Sequence, residues 1–203
     1  MCKQFSNTLS LSAVEAFFAA VADLASPPPA PRGDFAWGEL IAVIPAGPAR
    51  VVTARRWGWD KADGSLLGNA RSETVAAKPY FSKHADARRC LIPSDGFYEA
   101  ARSRRSAAPW RFTARSAPLF GLAGLLNEEG SVVMLTTAPN ACVRQVHPRM
   151  PVMLRPDAIA AWLDPRAPFV SFGAGLFAPW PADDLCAHPP APATEGPSQL
   201  ELF

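Results

Sequence analysis

Charge is scarce in this chain. Only 19% of its 203 residues are Asp, Glu, Lys or Arg, and they leave a formal net charge of +2. A nucleic-acid partner would therefore have to be argued from a local patch and not from bulk attraction. Cysteine is sparse too: Cys2, Cys90, Cys142 and Cys186 lie far apart with no C-x-x-C pair. That spacing suggests neither a zinc site nor a disulfide framework and fits a reducing, cytoplasmic setting. No stretch approaches the roughly 18 consecutive apolar residues of a membrane span, and the start lacks the basic-then-apolar layout of a signal peptide. No internal repeat is visible. What the chain does have is 49% hydrophobic residues and 22 prolines, a composition for a globular domain that is not an all-helical bundle.

Residues 12–25, "SAVEAFFAAVADLA", place Val14, Phe17, Phe18, Val21 and Leu24 at helical spacing, with Ser12 and Glu15 as a capping box. "SPPPAPRGD" then ends the helix. Beyond residue 38 the texture changes to short β-like runs separated by Pro, Gly, Ser and Asp, among them "ELIAVI", "ARVVTA", "RRCLIP", "LFGLAGLL" and "SVVMLTT". "RRCLIPSDGFYEA" reads as strand, turn, strand, with Glu99 near the start or middle of the second. A second helix is expected at residues 156–164, with proline in its first turn. The chain is thus expected to form one α+β domain, mostly strands, over residues 1–180. Residues 181–203, rich in Pro and Ala, are expected to be an irregular tail.

Three polar stretches interrupt the apolar body. In "GNARSET", Asn69, Arg71 and Glu73 alternate and would share a face if extended; an exposed strand would give the same pattern. In "SDGFYEA", Glu99 sits among aromatics, where burial would raise its pKa and suit it to acid-base work; a solvent-facing strand end is the plainer reading. In "NACVRQVHPRMPVML", His147 leads into an apolar strand, whereas His84 and His188 lie in surroundings that suggest solvation. The basic clusters at 55–57, 88–90 and 102–105 could form a phosphate track or an ordinary charged surface.

The chain begins "MCKQF", and a cysteine at position 2 taken by itself is more simply read as a weakly constrained, ordinary residue. Removal of Met1 would expose a cysteine with an α-amine and a thiol on one residue, two nucleophiles able to attack one aldehyde. An α-amine of pKa about 7.7 to 8.0 is substantially neutral near physiological pH and can form an imine without strong desolvation. The neighbouring thiol would then close a five-membered ring intramolecularly.

Together, Met-Cys, "NARSET", "CLIPSDGFYEA", "LTTAPN" and "HPRMPVML" in this order resemble the SRAP family of SOS response-associated peptidases and abasic-site processing proteins, over most of residues 1–154. The resemblance implies a mostly-β domain of curved antiparallel sheets, barrel-like, with a few flanking helices. It implies that Cys2 forms a thiazolidine crosslink with the ring-opened aldehyde of an abasic site in single-stranded DNA, with lyase-like chemistry and self-removal of Met1. Asn69 would position the amine and sugar, Glu99 would act as acid and base, and His147 would assist Schiff-base formation and its reversal. Arg71, Thr136 and Arg149 match positions that hold the DNA backbone. No metal or other cofactor is implied, and a monomer in a bacterial cytoplasm, associated with the nucleoid, is expected.

The chain departs from the family where Met-Cys-Gly-Arg-Phe becomes "MCKQF", where an Asn-x-Ala-Pro stretch is missing near residues 39–46, where "DKADGSLLG" follows "WGW", and where Ala100 replaces a tryptophan. These changes fall on DNA grip and spare the four reactive positions. Two other readings stay open: an autopeptidase or thiol hydrolase acting on its own N-terminus, and a divergent binder of single strands that does not crosslink.

Overall fold

The computed structural model describes residues 2–101 and 108–190. The apolar runs become strands of a nine-stranded sheet whose main path is Met150–Pro151, Val132–Thr137, Phe120–Leu126, Arg89–Ser94, Leu40–Pro45, Val51–Arg56 and Val21–Ala22. Asn69–Arg71 joins it beside Val132–Thr137, and Met153–Leu154 beside Phe120–Leu126. A five-stranded sheet runs in the order Leu185–His188, Trp110–Ala114, Gly96–Glu99, Gln4–Asn7 and Arg32–Ala36.

The strand period of two divides the core. Phe120 and Leu122, Val132 and Met134, Cys90 and Ile92, and Ile41 and Val43 face one apolar cluster, together with Phe5, Phe35, Phe97 and Phe112 of the smaller sheet. Their alternates Ala123 and Leu125, Val133 and Leu135, Leu91, Ala42 and Ile44 face a second cluster with Val14, Phe18, Phe81, Ile159 and Trp162 from the helices. The large sheet is therefore covered by helices on one face and by the small sheet on the other. Burial on both faces is why its strands read as continuous apolar runs.

Several expectations need correction. The sheets are open paths with free ends among the described residues, so the fold is not a closed barrel. Two pairings, Asn69–Arg71 with Val132–Thr137 and Val21–Ala22 with Val51–Arg56, are parallel. The first helix spans only Leu11–Phe18, and its cap is Ser10, whose hydroxyl accepts the Ala13 N–H at 3.2 Å. Ala19 turns left-handed at φ 49°, and the chain then pairs as an edge strand. Glu15 accepts the Ala22 N–H at 2.8 Å and so stabilises that exit instead of a capping box. Val21 and Leu24, both read as part of the helix's apolar face, are exposed beyond this exit.

"RRCLIPSDGFYEA" is found as strand, turn, strand, Arg89–Ser94 and Gly96–Glu99, with the two strands in different sheets; Glu99 lies at the end of the second and not near its start or middle. The expected tail contributes Leu185–His188 to the small sheet, with Leu185 buried; residues 191–203 lie outside the described part. Asn69 and Arg71 share a strand, but Glu73 falls in the helical turn Ser72–Val75. His84 is buried against Trp59, with ring centroids 5.1 Å apart, because a helix over Pro79–Ala85 turns it inward. The helix expected at 156–164 is found as Pro156–Leu163.

Candidate active site

The site begins with strand register. Gln4–Asn7 pairs antiparallel with Gly96–Glu99 so that Gln4 opposes Tyr98, and the chain N-terminal to Gln4 runs alongside Glu99. The Cys2 backbone N–H hydrogen-bonds the Glu99 carboxylate. The Cys2 thiol donates to the Gln4 carbonyl at 3.2 Å, and the Cys2 carbonyl accepts from Asn69 Nδ2 at 2.6 Å. Asn69 reaches it from a strand held parallel to Val132–Thr137, where it opposes Met134. Its Oδ1 is buried without a hydrogen-bond partner among the described residues.

His147 arrives from the opposite side. Asn140 caps the short helix Ala141–Arg144 by accepting the Val143 N–H at 2.9 Å, and the His147 N–H closes onto the Val143 carbonyl at 2.9 Å. This brings His147 Nδ1 to 3.3 Å from Glu99 Oε2 and within hydrogen-bond reach of the Arg149 backbone. Asn69, Cys2, Glu99 and His147 are thereby linked in one chain of polar contacts drawn from four separate segments.

Burial sets the electrostatics. Glu99, 2% exposed, has its carboxyl pushed up to about 8 by burial, so it holds a proton at neutral pH. Burial, reinforced by Glu99 once that carboxyl has ionised at higher pH, pushes the Cys2 thiol far above the ordinary thiol range. Cys2 is therefore a neutral thiol here and not a thiolate.

Arg71, Thr136 and Arg149 also come together, at the end of the same strands. Thr136 opposes Arg71 in register and donates to the Ala70 carbonyl at 3.2 Å; it is fully buried. Arg149 donates to the Thr136 carbonyl at 2.6 Å and makes a two-pronged ion pair with Glu73, at 2.6 and 2.8 Å. Arg71 is exposed. The Glu73 partner was not foreseen, and the only hint was its place in the alternating triplet. Of the basic clusters, Arg56 pairs with Asp60 and Arg88 donates to the Asn127 carbonyl, while Arg89 is wholly buried. The cluster at 88–90 is thus not a surface track, and that at 102–105 lies outside the described residues.

A mixed domain built mainly on two large open sheets, with an N-terminal thiol tied to a buried glutamate, an asparagine and a histidine, defines the class. The chain belongs to the SOS response associated peptidase (SRAP) family, whose model matches residues 1–193. It is 33% identical over 164 residues to abasic site processing protein YoaM of Bacillus subtilis, covering 73% of this chain and 72% of that one. It is 31% identical over 177 residues to abasic site processing protein YobE of the same organism, covering 80% and 81%. The fold is similar to that of a Bacteroides thetaiotaomicron protein (TM-score 0.74, 20% identity, 92% and 90% of the two chains) and of a Bordetella bronchiseptica protein (TM-score 0.73, 28% identity, 92% and 98%).

Proposed function

We propose that this protein, once Met1 is removed, joins Cys2 covalently to the ring-opened aldehyde of an abasic site in single-stranded DNA. The observation that most supports this reading is the hydrogen bond from the Cys2 nitrogen to a buried, protonated carboxyl. The nitrogen attacks the aldehyde carbon, and Glu99 delivers a proton to the departing hydroxyl as water leaves and an imine forms. The Cys2 S–H then adds across the C=N bond: sulfur bonds carbon, and the proton ends on nitrogen. Apart from the water released, every atom stays in the thiazolidine. The high thiol pKa fits this order, because the amine and not a thiolate opens the attack. Asn69 holds the Cys2 carbonyl and so fixes the terminus, while its unpaired Oδ1 is an acceptor for a sugar hydroxyl. His147 returns the proton through Glu99.

Intact-mass analysis and denaturing electrophoresis test this directly. Protein confirmed to lack Met1, mixed with a single-stranded abasic oligonucleotide, is expected to give a stable band whose mass is the sum of the two minus one water. Undamaged strand and Cys2→Ala protein should give none. An equal band with Cys2→Ala would overturn the assignment.

The same contact supports a second activity. A proton donor at the Cys2 nitrogen is also where the leaving amine forms when water cleaves the Met1–Cys2 peptide bond, so Glu99 would promote self-removal of Met1. Made by cell-free synthesis without methionine aminopeptidase, wild type is expected to lose Met1, and Glu99→Ala to keep it, as read by intact mass. Equal processing of both would assign removal to the host.

A further inference from the structure

Antiparallel pairing of Gln4 with Ala36 brings the residue after Cys2 across from the residue after Ala36. Lys3 accordingly places its Nζ 5.3 Å from the centroid of the Trp37 ring. Lys3 is exposed, and among the described residues no carboxylate pairs with it; nearby Arg32, by contrast, is paired with Glu39. Trp37 is half-buried. It packs against the cluster that contains Cys2 and meets Trp57 edge-on at 6.4 Å. On its other flank lies Gly68, where a Cβ would fall 2.2 Å from the indole, so only glycine leaves room for the ring. The indole N–H is buried with no acceptor among the described residues, a costly placement for a side chain that serves packing alone. Trp37 thus stands between the chain neighbours of Cys2 and of Asn69, with a part-exposed aromatic face covered by an uncompensated cation.

We infer that Trp37 and Lys3 decide which DNA the site accepts: the indole is the platform for the base flanking the reacting sugar, and the Lys3 ammonium leaves it to pair with a flanking phosphate. This rests on the proposed reaction with abasic DNA. An exposed cation–π contact is weaker than base–aromatic stacking, so exchanging the ammonium for a base is downhill, and the released ammonium then gains a phosphate. Stacking strength gives the site a preference for a purine at the flank. The ammonium supplies salt-sensitive, sequence-blind affinity.

The test separates binding from chemistry. Single strands carrying a tetrahydrofuran abasic analogue, which has no aldehyde, are titrated by fluorescence anisotropy at several salt concentrations with purine or pyrimidine flanks. Trp37→Ala is expected to bind about tenfold more weakly and to lose the purine preference, whereas Trp37→Phe keeps both in large part. Lys3→Met is expected to lower the salt slope by about 0.7 while keeping the preference. A purine preference unchanged in Trp37→Ala, or a wild-type salt slope in Lys3→Met, would overturn the inference. Thermal melts establish that each variant is folded; Trp37→Phe and Lys3→Met carry the test if Trp37→Ala is not. A parallel reaction with aldehyde-bearing strand keeps the two proposals distinct. No adduct with wild type sinks the reaction itself, whereas an adduct with unchanged variant binding sinks only the role of Trp37 and Lys3.

Discussion

With Met1 removed beforehand by methionine aminopeptidase, Glu99→Gln is expected to slow adduct formation by roughly 10²–10³-fold while making the folded protein more stable at pH 8. Glutamine keeps the shape and an acceptor for the Cys2 N–H but has no proton to give. The wild-type rate should follow a bell centred near pH 8. Its rising limb is the α-amine losing its proton, and its falling limb is Glu99, whose pKa burial has raised to about 8. Because the two groups touch, the limbs belong to the pair and not to either alone. In Glu99→Gln the falling limb should disappear, leaving a rate that rises and levels off; a falling limb retained near pH 8 would assign it to another group.

The sign of the stability change follows from linkage. A carboxyl whose ordinary value is 4.5 and whose folded value is about 8 binds a proton when folded that it releases when unfolded. Its contribution is intact below pH 4.5 and is lost progressively up to about pH 8. The glutamine variant escapes that loss, by about 4 kcal/mol at pH 8 and by nothing near pH 4. Urea unfolding at the two pH values measures it. A penalty of this size in a buried strand is understandable if the carboxyl is kept for chemistry.

Much of this site is legible in the letters because it violates their local texture. Glu99 among aromatics and His147 ahead of an apolar strand stand out in a chain with so little charge, whereas Cys2 by itself reads as an ordinary residue and gains meaning only from the ordered motifs that follow it. The strands were readable for the complementary reason that burial on both faces of the large sheet leaves unbroken apolar runs. What was not readable depends on partners far away in sequence. Helical spacing in residues 12–25 carries no sign that Val21 has a parallel partner in Val51. Arg149 looks free until Glu73 is seen beside it. Lys3 and Trp37 look like unrelated letters until register puts them in contact. Alternation and periodicity describe which face a residue takes, but only topology says what occupies the space opposite.

Arg89 is the sharpest such case, and its replacement by alanine is expected to be the most damaging single change for stability. In sequence it belongs to a basic cluster; in the fold its guanidinium is sealed from solvent and spread over four carbonyls. It donates to Trp162 at 2.8 Å, Ala85 at 2.9 Å and Asp164 at 2.5 Å, and also to Asp86. These carbonyls belong to the C-terminal ends of the helices Pro79–Ala85 and Pro156–Leu163, where partial negative charge collects and a cation is favoured. The same group lies over the rings of Trp162 and Phe172, at 5.5 and 4.9 Å. One arginine therefore locks two helix ends onto the strand Arg89–Ser94. Removing it leaves several carbonyls without donors and a cavity beneath Trp162, a loss of about 4 kcal/mol. For a chain of this length that lowers the melting temperature by roughly 10 °C. Arg89→Lys should recover only part of it, because a single ammonium cannot reach all four acceptors in the guanidinium plane. Below the melting transition, both variants should bind single strands with the wild-type salt slope, since a buried guanidinium releases no counterion from DNA. A shallower slope together with an unchanged melting temperature would return Arg89 to the DNA-binding surface.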